Sequence, residues 1–413
     1  MPVTAISFEN LLAQLDACTT EPLAQEEVVS LFEAHGRVLA KSIVATTDMP
    51  SFTNSAMDGY AWRTLDFTNA TAGETLSLPV LATVTAGHPL SEVLPPQAAI
   101  RIMTGAPLPE GFDCVLPIEK ATLDGDRLLI DPTTHRRGEN VRFAGELYKR
   151  GSVLVEAGSL LTTDMLGLIA SNGNGDVLCR QLRVGIFASG DELLEPAAGV
   201  APDPSKIYNA NGIIMTSLAR EAGATPTYLG ILPDNPVEIE KRLKAALPHY
   251  DVLVCSGGVG PGDRDYTARI LGELGDMHHF HVALKPGKPF TYATLSAPHP
   301  IFFLGLPGNP VATNTTARFF MQRVLARLMG AKERLHTVPA TLTGRSVKSA
   351  LGRVDFIRAT VTQAEDGHLQ VTPHPMQSSA SLFGCAQSNA ILKVEADVER
   401  LKEGTLVQVI LVK

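Results

Sequence analysis

The sequence predicts a multi-domain protein that combines an α/β domain, built on a mostly parallel sheet, with separate β domains. The first observation is length, because 413 residues exceed one ordinary domain and suffice for two to four. The second is a regular alternation of apolar runs with helical stripes from Arg183 onward, which is typical of βαβ units. The third is the occurrence of short β-branched or apolar runs, separated by Pro, Gly and Asp, over about 49–146 and 338–413.

The N-terminal segment predicts an amphipathic helix. Ser7 is placed as an N-cap, and Glu9 lies in the first turn, where it complements the helix dipole. The apolar residues that repeat at helical spacing are Phe8, Leu11, Leu12 and Leu15. A similar stripe predicts a second helical segment over residues 26–45. Its apolar positions are Val29, Leu31, Phe32, Val38 and Leu39.

A further helical pattern, TTDMLGLIAS, covers residues 162–171, and Asn172-Gly173 supplies a C-terminal stop. Strand-like runs such as LPVLATVTA and AIRIMTG lie between this helix and the N-terminal segment. We therefore expect a discontinuous helical and β first domain, residues 1–48 and 147–182. An inserted β domain, residues 49–146, interrupts it.

Residues 183–332 predict the α/β domain. The runs RVGIFAS, TYLGIL, DVLVCSGG and IFFLGLPG alternate with the helical stripes NGIIMTSLAREAGA and VEIEKRLKAAL. Ligands of open parallel sheets bind beyond the carboxyl ends of the strands, so we expect the loops after these runs to carry the chemistry. The last segment, residues 333–413, returns to short strands and predicts a β-barrel or sandwich.

Composition narrows the class of protein. Hydrophobic residues make up 45% of the chain and charged residues 19%, which is typical of soluble globular proteins. A formal net charge of −8 disfavours nucleic acid and anionic membranes as partners. The five cysteines are scattered without C-x-x-C spacing, which indicates reduced thiols. Because neither a signal peptide nor a membrane span is evident, we expect a cytoplasmic protein.

Two loops of the α/β domain contain candidate ligands for an anion or a cation. Asp191 and Glu192 follow RVGIFAS, although a helix N-terminus that merely carries an acidic residue is the simpler explanation. The segment Ser256–Asp265 contains four glycines whose N–H groups suit a phosphate, yet it lacks the spacing of a P-loop or a dinucleotide fingerprint. Asp263 and Asp265 in this loop suit a hard divalent cation such as magnesium.

Two Pro-Gly turns are candidate oxyanion sites. The segment Lys285–Lys288 suits a type II turn that crowds two ammonium groups, which favours an anion between them. The alternative is an exposed turn with two solvated lysines. The segment Pro307–Pro310 predicts a helix start, with Asn309 at the N-cap and Pro310 at the first position. Its free N–H groups can bind an anion, although most such termini bind nothing.

Small polar residues are dense in two segments of the inserted β domain, 54–60 and 101–107, which predicts turns. We expect Asp58 and Asn54 to cap backbone groups there. Two further candidate caps, ahead of a helical stripe, are Asn209 and Asn211. The clustered histidines, which suit an exposed strand end better than a metal triad, are His278, His279 and His281.

Six motifs occur in a fixed order: NSAMDGYA, RIMTGAP, SGDEL, SGGVGPGDRDYT, KPGKP and GLPGNPV. In series they resemble the molybdopterin molybdenumtransferase family, which includes bacterial MoeA and the E domain of gephyrin. The resemblance spans about residues 26–412. It implies that the α/β domain binds molybdopterin and that the C-terminal domain is a β-barrel. It also implies an elongated homodimer, with an active cleft between the α/β domain of one subunit and the inserted domain of the other.

The resemblance implies a reaction in which molybdate displaces AMP from adenylated molybdopterin in the presence of magnesium. The residues it implies for catalysis are Asp58, Asp234, Asp265, Lys285 and Lys288. Those it implies for magnesium are Glu192 and Asp265, with Asp234 as an alternative to Glu192. Those it implies for substrate binding are Thr104, Arg142, Ser256, Gly257, Gly258, His281, Pro307, Gly308, Asn309, Pro310 and Ser379. Partners of such a protein include the adenylating enzyme and the enzymes that receive the cofactor.

The sequence departs from the family pattern in four places. Leu147 stands where an acidic residue is usual, His281 replaces a lysine, Asn209 replaces a frequent Asp, and Gly260-Pro261 replaces Ser-Val. The departures leave a non-catalytic molybdopterin-binding scaffold as an alternative. A nucleotide pyrophosphatase related only through the α/β domain is a second alternative, and the motifs NSAMDGYA and RIMTGAP argue against it.

His281 lies four residues before Lys285, which places the two side chains on one face of a strand. An imidazole is largely neutral at neutral pH, unlike a lysine. One hypothesis is therefore that substrate binds better at about pH 6 than at pH 8 and that His281→Lys flattens this dependence. The alternative is that His281 is a neutral hydrogen-bond donor or a packing residue.

Overall fold

The computed structural model describes residues 3–197, 199, 204–258, 266–296, 299–332 and 335–412. The chain divides into two units. The first unit comprises Met1–Lys41, Glu156–Leu166 and Gly175–Lys413. The second unit comprises Ser42–Val155 and Gly167–Asn174.

Strands dominate the described residues. In chain order they are β1 Val3–Ser7, β2 Gln25–Ser30, β3 Val38–Leu39, β4 Ile43–Val44, β5 Asn54–Ser55, β6 Gly59–Trp62, β7 Leu76–Val84, β8 Ala99–Ile102, β9 Cys114–Pro117, β10 Thr122–Asp124, β11 Arg127–Ile130, β12 Val141–Arg142, β13 Val153–Val155, β14 Asp176–Gln181, β15 Arg183–Ser189, β16 Leu193–Leu194, β17 Ile207–Tyr208, β18 Thr225–Leu232, β19 Val252–Ser256, β20 Gly275–Lys285, β21 Pro289–Leu295, β22 Ile301–Leu306, β23 Thr337–Leu342, β24 Val347–Lys348, β25 Val354–Gln363, β26 Leu369–Pro373, β27 Ala390–Val394, β28 Arg400–Leu401 and β29 Leu406–Leu411.

The helices are shorter. They are α1 Phe8–Cys18, α2 Thr163–Ser171, α3 Asn211–Glu221, α4 Pro236–Ala246, α5 Tyr266–Gly272, α6 Pro310–Thr316, α7 Gln322–Leu328 and α8 Leu382–Gln387. Short 3-10 helices cover Thr64–Phe67, Ile118–Lys120 and Pro132–Thr134, and a π-helical segment, Ala317–Met321, joins α6 to α7. Among these helices, none combines the length and apolar character that crossing a membrane requires.

The predicted N-terminal helix is confirmed. The Ser7 side chain accepts a hydrogen bond from the Asn10 N–H, 3.1 Å long, and so satisfies one of the free donors at the start of α1. Phe8, Leu11 and Leu15 are buried because they form one stripe of the helix.

The predicted helix over residues 26–45 is wrong, because these residues form β2, β3 and β4. β2 and β3 both pair with β14. Along β2, Val29 is 7% exposed and its neighbour Val28 is 73% exposed, which is the alternation of a strand. Gly36, with φ of +74°, adds a turn that a continuous helix does not accommodate.

The central sheet of the first unit explains why its strands are continuous apolar runs. β18, β15, β19 and β22 are parallel neighbours, and β21 and β20 extend the sheet in antiparallel fashion. On β15, Val184 and Ile186 contribute to the core cluster that includes Met215 of α3, whereas Phe187 contributes to the cluster that includes Ile239 of α4. Apolar clusters thus cover both faces of the sheet, as the alternation of runs and stripes predicted.

The C-terminal strands close into a barrel, which confirms the barrel-like sheet predicted there. The order is β25, β26, β23, β29 and β27, and β27 returns to pair with β25. Buried residues such as Ala340, Val371 and Val409 fill it. β25 also pairs with β20 through Leu284 and Val354, so the barrel continues the central sheet.

The second unit contains a sheet in the order β10, β11, β7, β8, β6 and β9, with the pairs β5–β12 and β4–β13 beside it. Its described residues include no long helix, as the turn-rich sequence predicted. Helix α2 ends at Ser171, as predicted, and Gly173 has φ of +87°. The Asn172 side chain hydrogen-bonds to β4 and to the residues after it: its Nδ2 donates to the Val44 carbonyl, and its Oδ1 accepts from the Thr46 N–H. The division into four domains stays a prediction.

Candidate active site

A cavity of about 230 Å³ opens in the first unit, where β15 and β19 end. The residues predicted from sequence that line it are Glu192, Asp234, Gly257, Gly258, Gly308 and Pro310. They come from loops that follow four different strands, because the carboxyl ends of parallel strands meet at one edge of the sheet. The cavity therefore brings together candidate site residues that the sequence predicted in separate loops of the α/β domain.

The glycine loop after β19 begins with two residues in the left-handed region. Gly257 has φ of +78° and Gly258 has φ of +63°. A Cβ atom on Gly257 would lie 2.7 Å from the Ser189 carbonyl oxygen, so this position requires glycine. Ser256 is buried, and its hydroxyl has no hydrogen-bond partner among the described residues. The remainder of the loop, with Asp263 and Asp265, lies outside the described residues.

Two carboxylates are among the residues that line the cavity. Glu192 follows β15, and Asp234 follows β18; both are exposed and line the cavity. The Asp191 Oδ1 accepts from the Asp234 N–H at 3.0 Å and so ties the two loops together. The short strand β16 follows Glu192, so the helix N-terminus considered for these acidic residues is wrong.

The Asn-x-Asn sequence before α3 behaves differently at its two positions. The Asn209 Oδ1 accepts from the Gly212 N–H at 3.0 Å, which confirms the predicted cap. The Asn211 Nδ2 instead donates to the Gly308 carbonyl at 2.8 Å, so its predicted role as a cap is wrong. The Asn211 Oδ1 is buried without a partner among the described residues, and Asn211 lines the cavity. An unpaired amide oxygen at this place can accept a hydrogen bond from a ligand.

Sequence reasoning missed a network that orients Asn209. The Asn209 Nδ2 donates to the Tyr228 hydroxyl at 2.6 Å, and that hydroxyl donates to the Glu195 Oε1 at 2.6 Å. Burial, and then the Glu195 carboxylate, raise the pKa of Tyr228 above its usual range. The network connects residues 195, 209 and 228, whose spacing in the sequence gives no signal.

The Lys285–Lys288 corner joins β20 to β21. Both lysines are exposed, and neither forms an ion pair with another described residue. Gly287 has φ of +116°, and the predicted type II turn requires a positive φ at this position, so glycine suits it; the turn type itself stays a prediction. His281 lies in β20 opposite Pro289 and, as predicted, on the same side of the strand as Lys285.

The Pro307–Pro310 turn starts a helix, as predicted. The Asn309 Oδ1 accepts from the N–H groups of Val311 and Ala312 at 3.2 and 3.4 Å, and Pro310 occupies the first turn of α6. Pro307 is buried, and its carbonyl accepts from the Thr313 hydroxyl at 2.6 Å. Ser379 is exposed in the turn before α8.

In the second unit, the Asp58 carboxylate accepts two hydrogen bonds from Thr104. The Thr104 hydroxyl, then its N–H, hold the pKa of Asp58 below its usual range. Arg142 lies opposite Asn54 in the β5–β12 pair and is exposed. Leu147, the residue that departs from the family pattern, has an exposed side chain.

Family models match most of the chain. They are the MoeA N-terminal region (domain I and II) at residues 6–173, a probable molybdopterin binding domain at 185–327 and the MoeA C-terminal region (domain IV) at 340–412. A protein of Haemophilus influenzae named molybdopterin molybdenumtransferase is 36% identical over 387 residues, 93% of each chain. Its namesake in Nostoc sp. is 37% identical over 391 residues, 94% of this chain and 88% of its own.

A solved structure has the same fold. The crystal structure of the molybdopterin biosynthesis moeA protein from Pyrococcus horikoshii superposes with a TM-score of 0.82 at 27% identity, covering 99% of this chain and 100% of its own. Sequence and fold therefore agree along nearly the whole chain, and the chain belongs to the molybdopterin molybdenumtransferase family.

Proposed function

We propose that this protein is a molybdopterin molybdenumtransferase, which inserts molybdate into adenylated molybdopterin and releases AMP in molybdenum cofactor biosynthesis. The main support is the cavity at the strand ends, which six of the sequence-predicted residues line. The names of the relatives, which match over nearly the full length, support the same reaction.

The phosphate-binding part of the proposed site is made of backbone groups. Gly257 and Gly258 bring the chain close to the cavity without side chains, and Gly308 and Pro310 bring the start of α6 to it. The first N–H groups of α6 donate to Asn309, so the proposed attraction of this helix start for an oxyanion rests on the positive end of the helix dipole. The Asn211 Oδ1 accepts a hydrogen bond from the substrate in this proposal, because it has no partner among the described residues.

The carboxylates fit a magnesium ion. Glu192 and Asp234 are exposed at the cavity and offer hard oxygen donors, and Asp265 is the third proposed group. Bound magnesium would neutralise negative charge on the substrate phosphates. Lys285 and Lys288 would hold molybdate, a tetrahedral dianion, and His281 would add a cation when protonated.

Asp58 is a further proposed catalytic residue, and Thr104, Arg142 and Ser379 are further proposed substrate-binding residues. Asp58 is exposed, and Thr104 fixes its carboxylate. We also propose that the protein is a cytoplasmic homodimer, which analytical ultracentrifugation of the purified chain tests. The adenylating enzyme and the enzymes that receive the cofactor are its proposed partners.

Molybdate-dependent release of AMP from adenylated molybdopterin tests the proposal. A transferase releases AMP only when molybdate and magnesium are both present. A scaffold releases no AMP, and a pyrophosphatase releases it regardless of molybdate, so either result would reject the proposed activity. Asp265→Asn should sharply reduce release while leaving the protein folded, and unchanged turnover at limiting magnesium would remove Asp265 from the site.

A further inference from the structure

A cysteine, a histidine and a glutamate meet in the second unit. Cys114 begins β9, His135 follows a 3-10 turn, and Glu139 lies four residues later. One potential ligand atom from each lies within 4.8 Å of the others. Each of these side-chain types is a ligand of divalent transition metals. Their spacing of 21 and 4 residues follows no metal motif, so the sequence alone does not reveal the group.

Backbone hydrogen bonds fix the strand of Cys114 against the turn of the other two residues. The Gly138 N–H donates to the Asp113 carbonyl at 2.7 Å, and the Val115 N–H donates to the Glu139 carbonyl at 3.0 Å. These bonds flank Cys114 on both sides. The position of its thiol relative to the turn therefore does not depend on a metal.

Trp62 orients the histidine. It lies directly opposite Cys114 in the β6–β9 pair, so the two side chains share one face of the sheet. The His135 ring meets the Trp62 ring edge-on, with the centroids 5.2 Å apart. The imidazole is thereby held next to the thiol.

The spacing of two of the ligands suits a tetrahedral ion. The His135 Nδ1 lies 3.2 Å from the Glu139 Oε2. Two ligands on a tetrahedral zinc, with bonds of 2.0–2.2 Å, lie about 3.3 Å apart. Cys114 is fully buried, whereas the side chains of His135 and Glu139 are 16% and 31% exposed, which leaves one side open to solvent.

Charge favours a soft divalent cation at this place. The carboxylates of Glu139 and Asp113 lie near the Cys114 thiol. A cation of charge +2 with one thiolate, one carboxylate and a neutral imidazole forms a neutral group, which reduces the cost of burying it. Sulfur and nitrogen donors select zinc over magnesium or calcium.

We propose that Cys114, His135 and Glu139 bind a zinc-class divalent ion, with a fourth position open to water or a small ligand. The site uses none of the residues of the proposed transferase machinery and does not depend on that function. Without a metal, the same residues would form a His135–Glu139 hydrogen bond beside a buried thiol.

Cobalt(II) is a suitable probe, because thiolate coordination gives it a charge-transfer band and visible d–d bands. The full-length protein is titrated with Co²⁺ after Cys18 and Cys385, the partly exposed thiols, are replaced by Ser. We expect one equivalent to produce the thiolate band and Zn²⁺ to displace it. Zn²⁺ should also raise the melting temperature, because it binds only the folded site.

Matched variants assign the ligands. Cys114→Ala should abolish the charge-transfer band, whereas Cys179→Ala, which removes an equally buried thiol of the first unit, should preserve it. His135→Gln and Glu139→Gln should each weaken cobalt binding by at least tenfold, and circular dichroism verifies that they fold. Absence of the band in the parent protein, or its survival in Cys114→Ala, would overturn the proposal. Unchanged affinity in His135→Gln would do the same if Cys114→Ala fails to fold.

Discussion

The Asp58 carboxylate accepts hydrogen bonds from both the N–H and the hydroxyl of Thr104, each 2.7 Å long. Together they hold the pKa of Asp58 below its usual range. The folded protein therefore favours the ionised carboxylate, and the resulting stability is present above the pKa of unfolded Asp and is lost as pH falls through the lower folded value. Thr104→Val should raise the pKa of Asp58, as followed by NMR titration of the carboxyl carbon, and should reduce AMP release.

Asp131 provides the control for this prediction. Its Oδ1 accepts from both the N–H and the hydroxyl of Thr133, in the same arrangement and the same unit. Thr133→Val should raise the pKa of Asp131 without affecting AMP release. Equal losses of activity in Thr104→Val and Thr133→Val would show that general destabilisation, rather than the orientation of Asp58, accounts for the effect.

Lys285 and Lys288 should bind oxyanions as a pair. Since neither forms an ion pair with another described residue, replacing either by Ala should weaken molybdate binding about tenfold, equivalent to about 1.4 kcal/mol, without altering the fold. Isothermal calorimetry measures the affinity, and sulfate should compete. Lys348→Ala removes another exposed lysine of the first unit and serves as the control. Equal molybdate affinity in the parent and Lys285→Ala proteins would refute the shared site.

Tyr228→Phe tests the network that orients Asn209. The substitution removes the hydroxyl between Asn209 and Glu195 and leaves a buried amide donor without its partner, which costs about 1–3 kcal/mol. Because Asn209 lines the cavity, we expect KM for adenylated molybdopterin to rise more than kcat falls. Tyr292→Phe, at a buried tyrosine stacked on Phe302, should leave KM unchanged. If KM of the Tyr228→Phe protein were normal, the network would have a structural role only and would not contribute to substrate binding.

Asp251→Asn should destabilise the first unit. The Asp251 carboxylate is buried and accepts three hydrogen bonds from Arg183, one from its N–H and two from its guanidinium, at 2.7–3.1 Å. Removing the negative charge weakens these bonds at the start of β15, so we expect a loss of about 2–3 kcal/mol. Differential scanning calorimetry of the variant and of Asp276→Asn, whose side chain is 76% exposed, provides the comparison. Similar melting temperatures for both variants would contradict the prediction.

Sequence patterns correctly predicted the helix caps and the helical stripe that are stabilised by contacts between residues close together in the chain. The Ser7 cap, the stripe of α1 and the Asn309 cap depend on contacts within a few residues, and the structure confirms each of them. The segment at 26–45 failed because pairing with β14, more than 130 residues away, decides its conformation. A stripe of apolar residues in a short segment is compatible with either a helix or a strand.

In the candidate active site, too, some features could be predicted from the sequence and others depend on tertiary packing. Motifs in strand-end loops brought Glu192, Asp234 and Gly257 to one cavity, because parallel topology makes those loops neighbours. The bond of Asn211 to Gly308 joins residues 97 positions apart and depends on how α3 and α6 pack. Contacts of that kind cannot be predicted from the spacing of residues in the sequence, because they depend on how distant helices pack in the folded protein.

Two strands from distant parts of the chain, β1 and β25, pair with the same edge of β20. β1 pairs with it from His279 to Ala283, β25 continues at Leu284 and Lys285, and β21 occupies the opposite side. An uncovered strand edge is a template for intermolecular pairing and aggregation. Deleting Val3–Ser7 would expose this edge of β20, so we expect poor solubility and self-association during expression, with the cavity at the ends of β15 and β19 still intact.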